Sequence, residues 1–159
     1  ISPAGKIPAL SDGSLNLCES MAINQYLTEK FAPSFAGVTL EDRAMNSQWN
    51  YWAIAEYQKP MIELFIEKVF VPEAKRSVQV IDKCLGKLKG LNDYLNQSLS
   101  GRNYLVNHEF SLADLNVASV AKINSAVGID ISEFSNLDQW LNRILERKSA
   151  LKVAEMATK

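Results

Sequence analysis

The chain has 159 residues, enough for one ordinary domain or for a domain with a smaller piece attached. Hydrophobic residues make up 47% and charged residues 22%, which argues against disordered, collagen-like and coiled-coil classes. The 17 Lys and Arg against 18 Asp and Glu leave a net charge of -1, with no basic excess to engage a phosphate backbone, so nucleic acid is not expected as a direct partner. Cys18 and Cys84 lie far apart with no C-x-x-C pair, so neither a disulfide framework nor a metal site is signalled. A reducing, cytoplasmic setting fits best. No apolar run reaches the roughly 20 residues of a membrane span, and Lys6, Asp12 and Glu19 interrupt the stretch where a signal peptide needs an uncharged core. The expectation is a soluble protein with no membrane partner. Because the chain begins at Ile1 and enters a strand pattern almost at once, it reads as the C-terminal part of a longer protein.

In chain order, Ile7 to Ser11 and Leu15 to Cys18 are short apolar runs joined by Asp12-Gly13, a dipeptide suited to the positive φ angles of a tight hairpin. Ala22, Ile23, Tyr26, Leu27 and Phe31 then follow helical spacing, with Ser20 at the N-cap position, and predict a helix over Met21 to Phe31. Residues 33–38, with Pro33 and Gly37, read as a linker between a first piece over 1–32 and a helical unit over 39–159. Thr39-Leu-Glu-Asp42 resembles a capping box and opens a long helix running to Phe70, bent at Pro60. Pro72 can start a second helix whose apolar stripe reaches Leu99.

After a turn-rich connection, Ser111-Leu-Ala-Asp114 is the sharpest local signal in the chain. Asp114 can reach back to the Ser111 N–H, the Ser111 hydroxyl can accept from the N–H of residue 114, and Phe110 and Leu115 occupy the two staple positions. Ser111 and Asp114 are therefore assigned to folding, as a structural cap. The helix they open is apolar nearly all round and belongs at the centre of a bundle. Leu137 to Glu146 and Ala150 to Met156 are two shorter helical segments. The fold expected is mainly α: a hairpin and helix followed by a five-helix bundle.

Ser2-Pro-Ala-Gly-Lys-Ile-Pro-Ala-Leu, Asp12-Gly13, Leu17-Cys-Glu-Ser-Met-Ala-Ile23 and Tyr26-Leu27 together resemble the second half of the thioredoxin-like domain of cytosolic glutathione transferases. The segments after residue 38 resemble that family's helical C-terminal domain. Gln48-Trp49 and Pro60 look closer to its theta and phi classes than to the alpha, mu and pi classes.

The resemblance implies a cis bond between Ile7 and Pro8, with the Ile7 backbone free to pair with the cysteinyl backbone of glutathione, the co-substrate. It implies that Glu19 and Ser20, at a helix start where N–H groups and the dipole favour an anion, hold the γ-glutamyl end. Lys6 would assist at the glycyl end. Each has a plainer reading: a trans X-Pro bond, a capping serine beside an acidic neighbour, and a solvated loop lysine. Trp52 and Glu56 share a face of the long helix with Trp49, and the resemblance puts them at a pocket for a hydrophobic electrophile, whereas Trp49 reads as core. His108 and Cys18 carry no second ligand or nucleophile.

The implied function is conjugation of the glutathione thiolate to hydrophobic electrophiles, as in detoxification, by a homodimer without a metal. The thiol-activating Ser, Tyr or Cys of the family is expected before Ile1, so no catalytic residue is named. The competing reading is a non-catalytic assembly module, of the kind found in the gamma subunit of translation elongation factor one or attached to aminoacyl-tRNA synthetases.

Overall fold

The computed structural model describes residues 2–157. Two antiparallel strands, β1 (Ala9–Asp12) and β2 (Leu15–Cys18), pair in the register Ala9↔Cys18 to Asp12↔Leu15. The loop is thus Gly13-Ser14, one residue later than the Asp12-Gly13 turn expected, and Gly13 supplies the positive φ, 60°, at its first position. The ladder starts after Pro8, not at Ile7, because proline has no N–H to donate. The Ile7–Pro8 bond is cis.

Helix α1 (Ser20–Phe31) begins one residue earlier than predicted, so Ser20 is its first helical residue and Glu19 takes the N-cap position. The expected linker is a compact 3₁₀ turn, Pro33–Ala36, with Ala36 buried. Gly37 follows at φ 117°, where a Cβ would lie 2.7 Å from the Arg43 nitrogen. Only glycine permits both that angle and that approach of the turn to the next helix.

The predicted 39–70 helix forms as a continuous helical path with altered hydrogen bonding. Helix α2 (Leu40–Trp52) passes into a π-helical stretch, Ala53–Gln58, then α3 (Lys59–Phe65) and a second π-helical stretch, Ile66–Phe70. Pro60 sits in the first turn of α3. Its ring crowds the carbonyl four residues back and donates no N–H, and the wider π turn just upstream accommodates both. The Thr39–Asp42 capping box is present, each side chain accepting from the other residue's N–H at 3.1 Å.

The next helix, α4 (Val78–Ser98), starts six residues later than expected. Pro72 caps only a 3₁₀ turn, Glu73–Lys75, and Ser77 is the true N-cap, its hydroxyl accepting from the Val80 N–H at 3.3 Å. Then come α5 (Leu112–Ala121), α6 (Ile123–Ala126), α7 (Ser135–Leu145) and α8 (Lys148–Ala157).

Helix α5 is buried nearly all round, packed against α1, α2 and α7, as its composition implied. The core around it gathers Tyr57, Met61 and Leu64 from the long helical path, Leu88 and Leu95 from α4, and Leu137 and Trp140 from α7. Trp49 is core as expected, although its Nε1 is buried without an acceptor.

Asp114, wholly buried, does more than cap. Its Oδ2 accepts from the Ser111 N–H (2.9 Å) and hydroxyl (2.8 Å), and its Oδ1 accepts from the Leu105 N–H (2.9 Å) and Trp140 Nε1 (2.8 Å). One carboxylate therefore ties α5 to the preceding loop and to α7. Burial pushes its carboxyl above the ordinary range, against the opposing pull of those donors. The expected staple is different: Leu115 is 39% exposed, while the Phe110 ring lies 5.2 Å from Phe35 and carries the Arg147 guanidinium 3.8 Å above it. Bundle closure on the Pro33–Ala36 turn won over the local i, i+5 contact.

A candidate glutathione-binding site

The hairpin register determines what meets at its open end. Pairing of Ala9 with Cys18 brings the residues just outside the ladder, Ile7-Pro8 and Glu19-Ser20, side by side. Ile7 is 94% exposed. Glu19 has φ 71° and ψ 117°, an uncommon conformation for any residue but glycine, and its side chain makes no capping bond to α1. The Glu19 carbonyl does accept from the Ile23 N–H at 3.0 Å, so the turn is closed, while no side chain of the N-cap residue bonds the first N–H groups of α1. Ser20 is exposed and is not the cap, which removes the plain structural reading of its hydroxyl. Lys6 is also exposed, and its backbone N–H donates to the Ser2 hydroxyl at 3.1 Å.

The hairpin is fastened to α1 beyond its tip. Asp12 accepts from the Tyr26 hydroxyl at 2.8 Å and from Lys30, whose ammonium lies over the Tyr26 and Phe31 rings. Lys30 first and Tyr26 second hold the Asp12 carboxyl below its usual range.

Trp52 and Glu56, expected together at an electrophile pocket, are occupied otherwise. Trp52 stacks on Tyr57 at 5.0 Å and meets Trp49 edge-on at 5.3 Å, whereas Glu56 pairs with Lys87 at 3.2 Å on the surface. Two open clefts of about 520 and 330 Å³ lie elsewhere. The larger runs between Gly128 to Ser132 and α7. The smaller lies where residues 34–38 meet Asp42, Asn46 and the loop holding His108. Among the described residues no group of three or more His, Cys, Asp or Glu is placed to hold a metal ion, and no helix is long and apolar enough to cross a membrane.

Sequence reasoning missed a set of buried polar side chains. Asp42, Asn46 and Asn50 recur every four residues along α2, a polar stripe visible in the sequence but attributable to solvent as easily as to the core. In the fold Asp42 accepts from Asn107, Asn46 accepts from the Ala113 N–H at 2.7 Å, and Asn50 accepts from Asn116 at 3.0 Å.

Residues 1–29 match the N-terminal domain, and residues 58–148 the C-terminal domain, of glutathione S-transferase. The chain belongs to the glutathione S-transferase family. Glutathione S-transferase F11 of Arabidopsis thaliana is 30% identical over 98% of this chain and 76% of its own length. A solved structure of glutathione S-transferase-I bound with lactoylglutathione superposes with a TM-score of 0.87 at 30% identity, over 96% of this chain and 76% of that one. The theta-class enzyme of Xanthomonas axonopodis pv. citri with glutathione bound gives 0.88 at 28% identity, over 94% and 72%. The chain thus spans about three quarters of these relatives. Relatives of transferase name favour an enzyme over the assembly module.

Proposed function

We propose that residues 1–32 form the glutathione-binding side, residues 33–38 the junction and residues 39–159 the helical side of a cytoplasmic transferase that joins the glutathione sulfur to hydrophobic electrophiles. In that reaction the thiol proton is released, the thiolate pair forms a carbon–sulfur bond, and the electrophile's leaving group or π pair takes up the displaced electrons. Glutathione is the co-substrate and the chain's own residues bind it. The Ile7 backbone pairs with the cysteinyl backbone, Ser20 and the start of α1 take the γ-glutamyl carboxylate, Glu19 takes its ammonium group, and Lys6 attends the glycyl carboxylate.

The observation that carries this reading is Glu19, held at positive φ where the hairpin register sets it beside Pro8, with its side chain unused by the helix it precedes. A non-glycine residue kept in such a conformation costs on the order of 1–3 kcal/mol, and such strain concentrates at ligand sites. A glutathione titration followed by backbone amide signals is expected to move Ile7, Glu19 and Ser20 first, and Ser20→Ala to weaken binding about tenfold by removing a charge-assisted bond. Unmoved signals at all three residues would overturn the assignment.

The same reading includes a two-fold homodimer through α1 and the 40–70 helical path, where Tyr51 and Ile54 stand exposed. Sedimentation at micromolar concentration is expected to give twice the chain mass; a monomer there contradicts it.

A further inference from the structure

Helix α1 meets the bundle through apolar contact, with Ile23 buried and Met21 packed against the core. Apolar contact is non-directional and leaves a helix free to rotate or slide by fractions of a turn. Directional bonds set an azimuth where apolar contact does not, and one chain of them runs from α1 into the bundle. Asn24 Nδ2 donates to Asn116 Oδ1 at 2.7 Å, and Asn116 Nδ2 donates in turn to Asn50 Oδ1 at 3.0 Å. Asn116 lies on α5 and is 1% exposed; Asn50 lies on α2 and is also buried. Asn24 is four residues after Ser20, about one helical turn along the same face of α1.

An amide side chain has distinct donor and acceptor ends, so Asn50, by claiming the Nδ2 of Asn116, turns its Oδ1 towards α1. Asn24 can then meet it only with its own donor end, at one rotation of the helix. The neighbouring Asn46, which accepts from the Ala113 N–H, pins α5 to α2 in the same layer, so the acceptor offered to Asn24 is itself fixed. We propose that the Asn24–Asn116–Asn50 chain positions the start of α1, and with it Glu19 and Ser20, for glutathione, making these three amides positioning residues for its γ-glutamyl end. The proposal rests on the site reading given above. By linkage, occupation of the site is communicated back along the same bonds to the side-chain amides of Asn24 and Asn116.

The test is a glutathione titration of the protein and of Asn24→Leu, Asn50→Leu, the double variant and Ser20→Ala, at a temperature where each retains the amide spectrum of the bundle. Leucine keeps much of the shape of asparagine and supplies neither donor nor acceptor. Each single leucine variant is expected to bind glutathione about five- to tenfold more weakly, with the double variant no worse than the weaker single one, because both break one chain. In the unchanged protein the side-chain amide signals of Asn24 and Asn116 are expected to shift as glutathione saturates, which an amide with a purely structural role has no reason to do. Should Asn50→Leu not fold, Asn24→Leu, at a half-exposed position, decides the matter alone. Unchanged affinity in Asn24→Leu together with weakened binding in Ser20→Ala overturns the positioning role and leaves the site reading standing. Unchanged affinity in both overturns the two together.

Discussion

The piece containing the hairpin and α1 and the bundle that follows are stabilised by different means. In the bundle, α5 buries side chains on nearly every face, and its polar groups are multiply satisfied. In the hairpin piece Ile23 and Thr28 are the buried positions of α1, and neither strand has a buried residue. Directional bonds add to this limited apolar contact: Asp12 to Tyr26 and Lys30 within the piece, and Asn24 to Asn116 across to the bundle. A two-stranded sheet is marginal by itself. The difference teaches that apolar burial organises the bundle, while a few polar contacts determine where the hairpin piece stands against it. The bundle supplies the rigid partner for those contacts.

The sharpest way to break the comparison is through Asp114. Asp114→Ala removes the α5 cap and strands the Leu105 N–H and Trp140 Nε1 in the interior. The expected loss is on the order of 3 kcal/mol or more. By thermal unfolding this is a fall of about 10 °C for a domain of this size. Glutathione affinity, measured well below the transition, stays nearly unchanged. A collapse of affinity without loss of stability contradicts the division between the two regions.

Next in size is Tyr57, which closes a buried ring with Asn92 and Asn124. The Tyr57 hydroxyl donates to Asn92 (2.5 Å), Asn92 donates to Asn124 (3.1 Å), and Asn124 donates back to the hydroxyl (2.9 Å). Burial raises the phenol pKa far above its ordinary value, so the ring stays neutral over the working range. Tyr57→Phe takes the donor away from the buried Asn92 Oδ1, while Asn124 Nδ2 keeps the Ala121 carbonyl, and is expected to cost about 1–3 kcal/mol in chemical denaturation, with an unchanged denaturant slope.

Asp12→Ala tests the other region. The effect on global stability is expected to be small, whereas hydrogen exchange at the hairpin amides from Ser11 to Leu17 should accelerate and that of α5 should not. Equal acceleration in both would show that the two regions open as one unit.

The smallest effect is in the acid limb of stability. The Thr39 backbone first, then Asn107, hold the Asp42 carboxyl below its ordinary value. Its contribution is complete above the unfolded value of about 3.9 and is lost as pH falls through the lower folded value. Asp114, raised by burial, contributes with the opposite sign: its share is present below the ordinary value and is lost as pH rises through the folded one. Asp42→Asn is therefore expected to flatten the loss of stability below about pH 4, read from unfolding midpoints at stepped pH.

The amino-acid order alone was sufficient for the elements whose stabilising partners are near in sequence. The paired strands, the Thr39–Asp42 cap, the start of α5 at Ser111 and the apolar stripe of α4 all depend on periodicity or on bonds spanning three residues, and each is legible in one local window. The resemblance carried by the segment from Ser2 to Leu27 led to the family for the same reason. Local windows were insufficient where a competing local option existed. The local pattern pointed to Pro72 as a helix start and to Ser20 as a cap, whereas in the packed chain Ser77 caps α4 and Glu19 takes the N-cap position of α1. The tertiary structure alone decided that Asp114 serves Trp140, 26 residues away, that Phe110 turns to Phe35, and that Asn24 meets Asn116 across 92 residues. A polar residue on a helix reads the same whether it faces water or a buried amide. Which of the two it faces depends on how the helices cross, and that is set by the fit of the whole core, not by any neighbour in sequence.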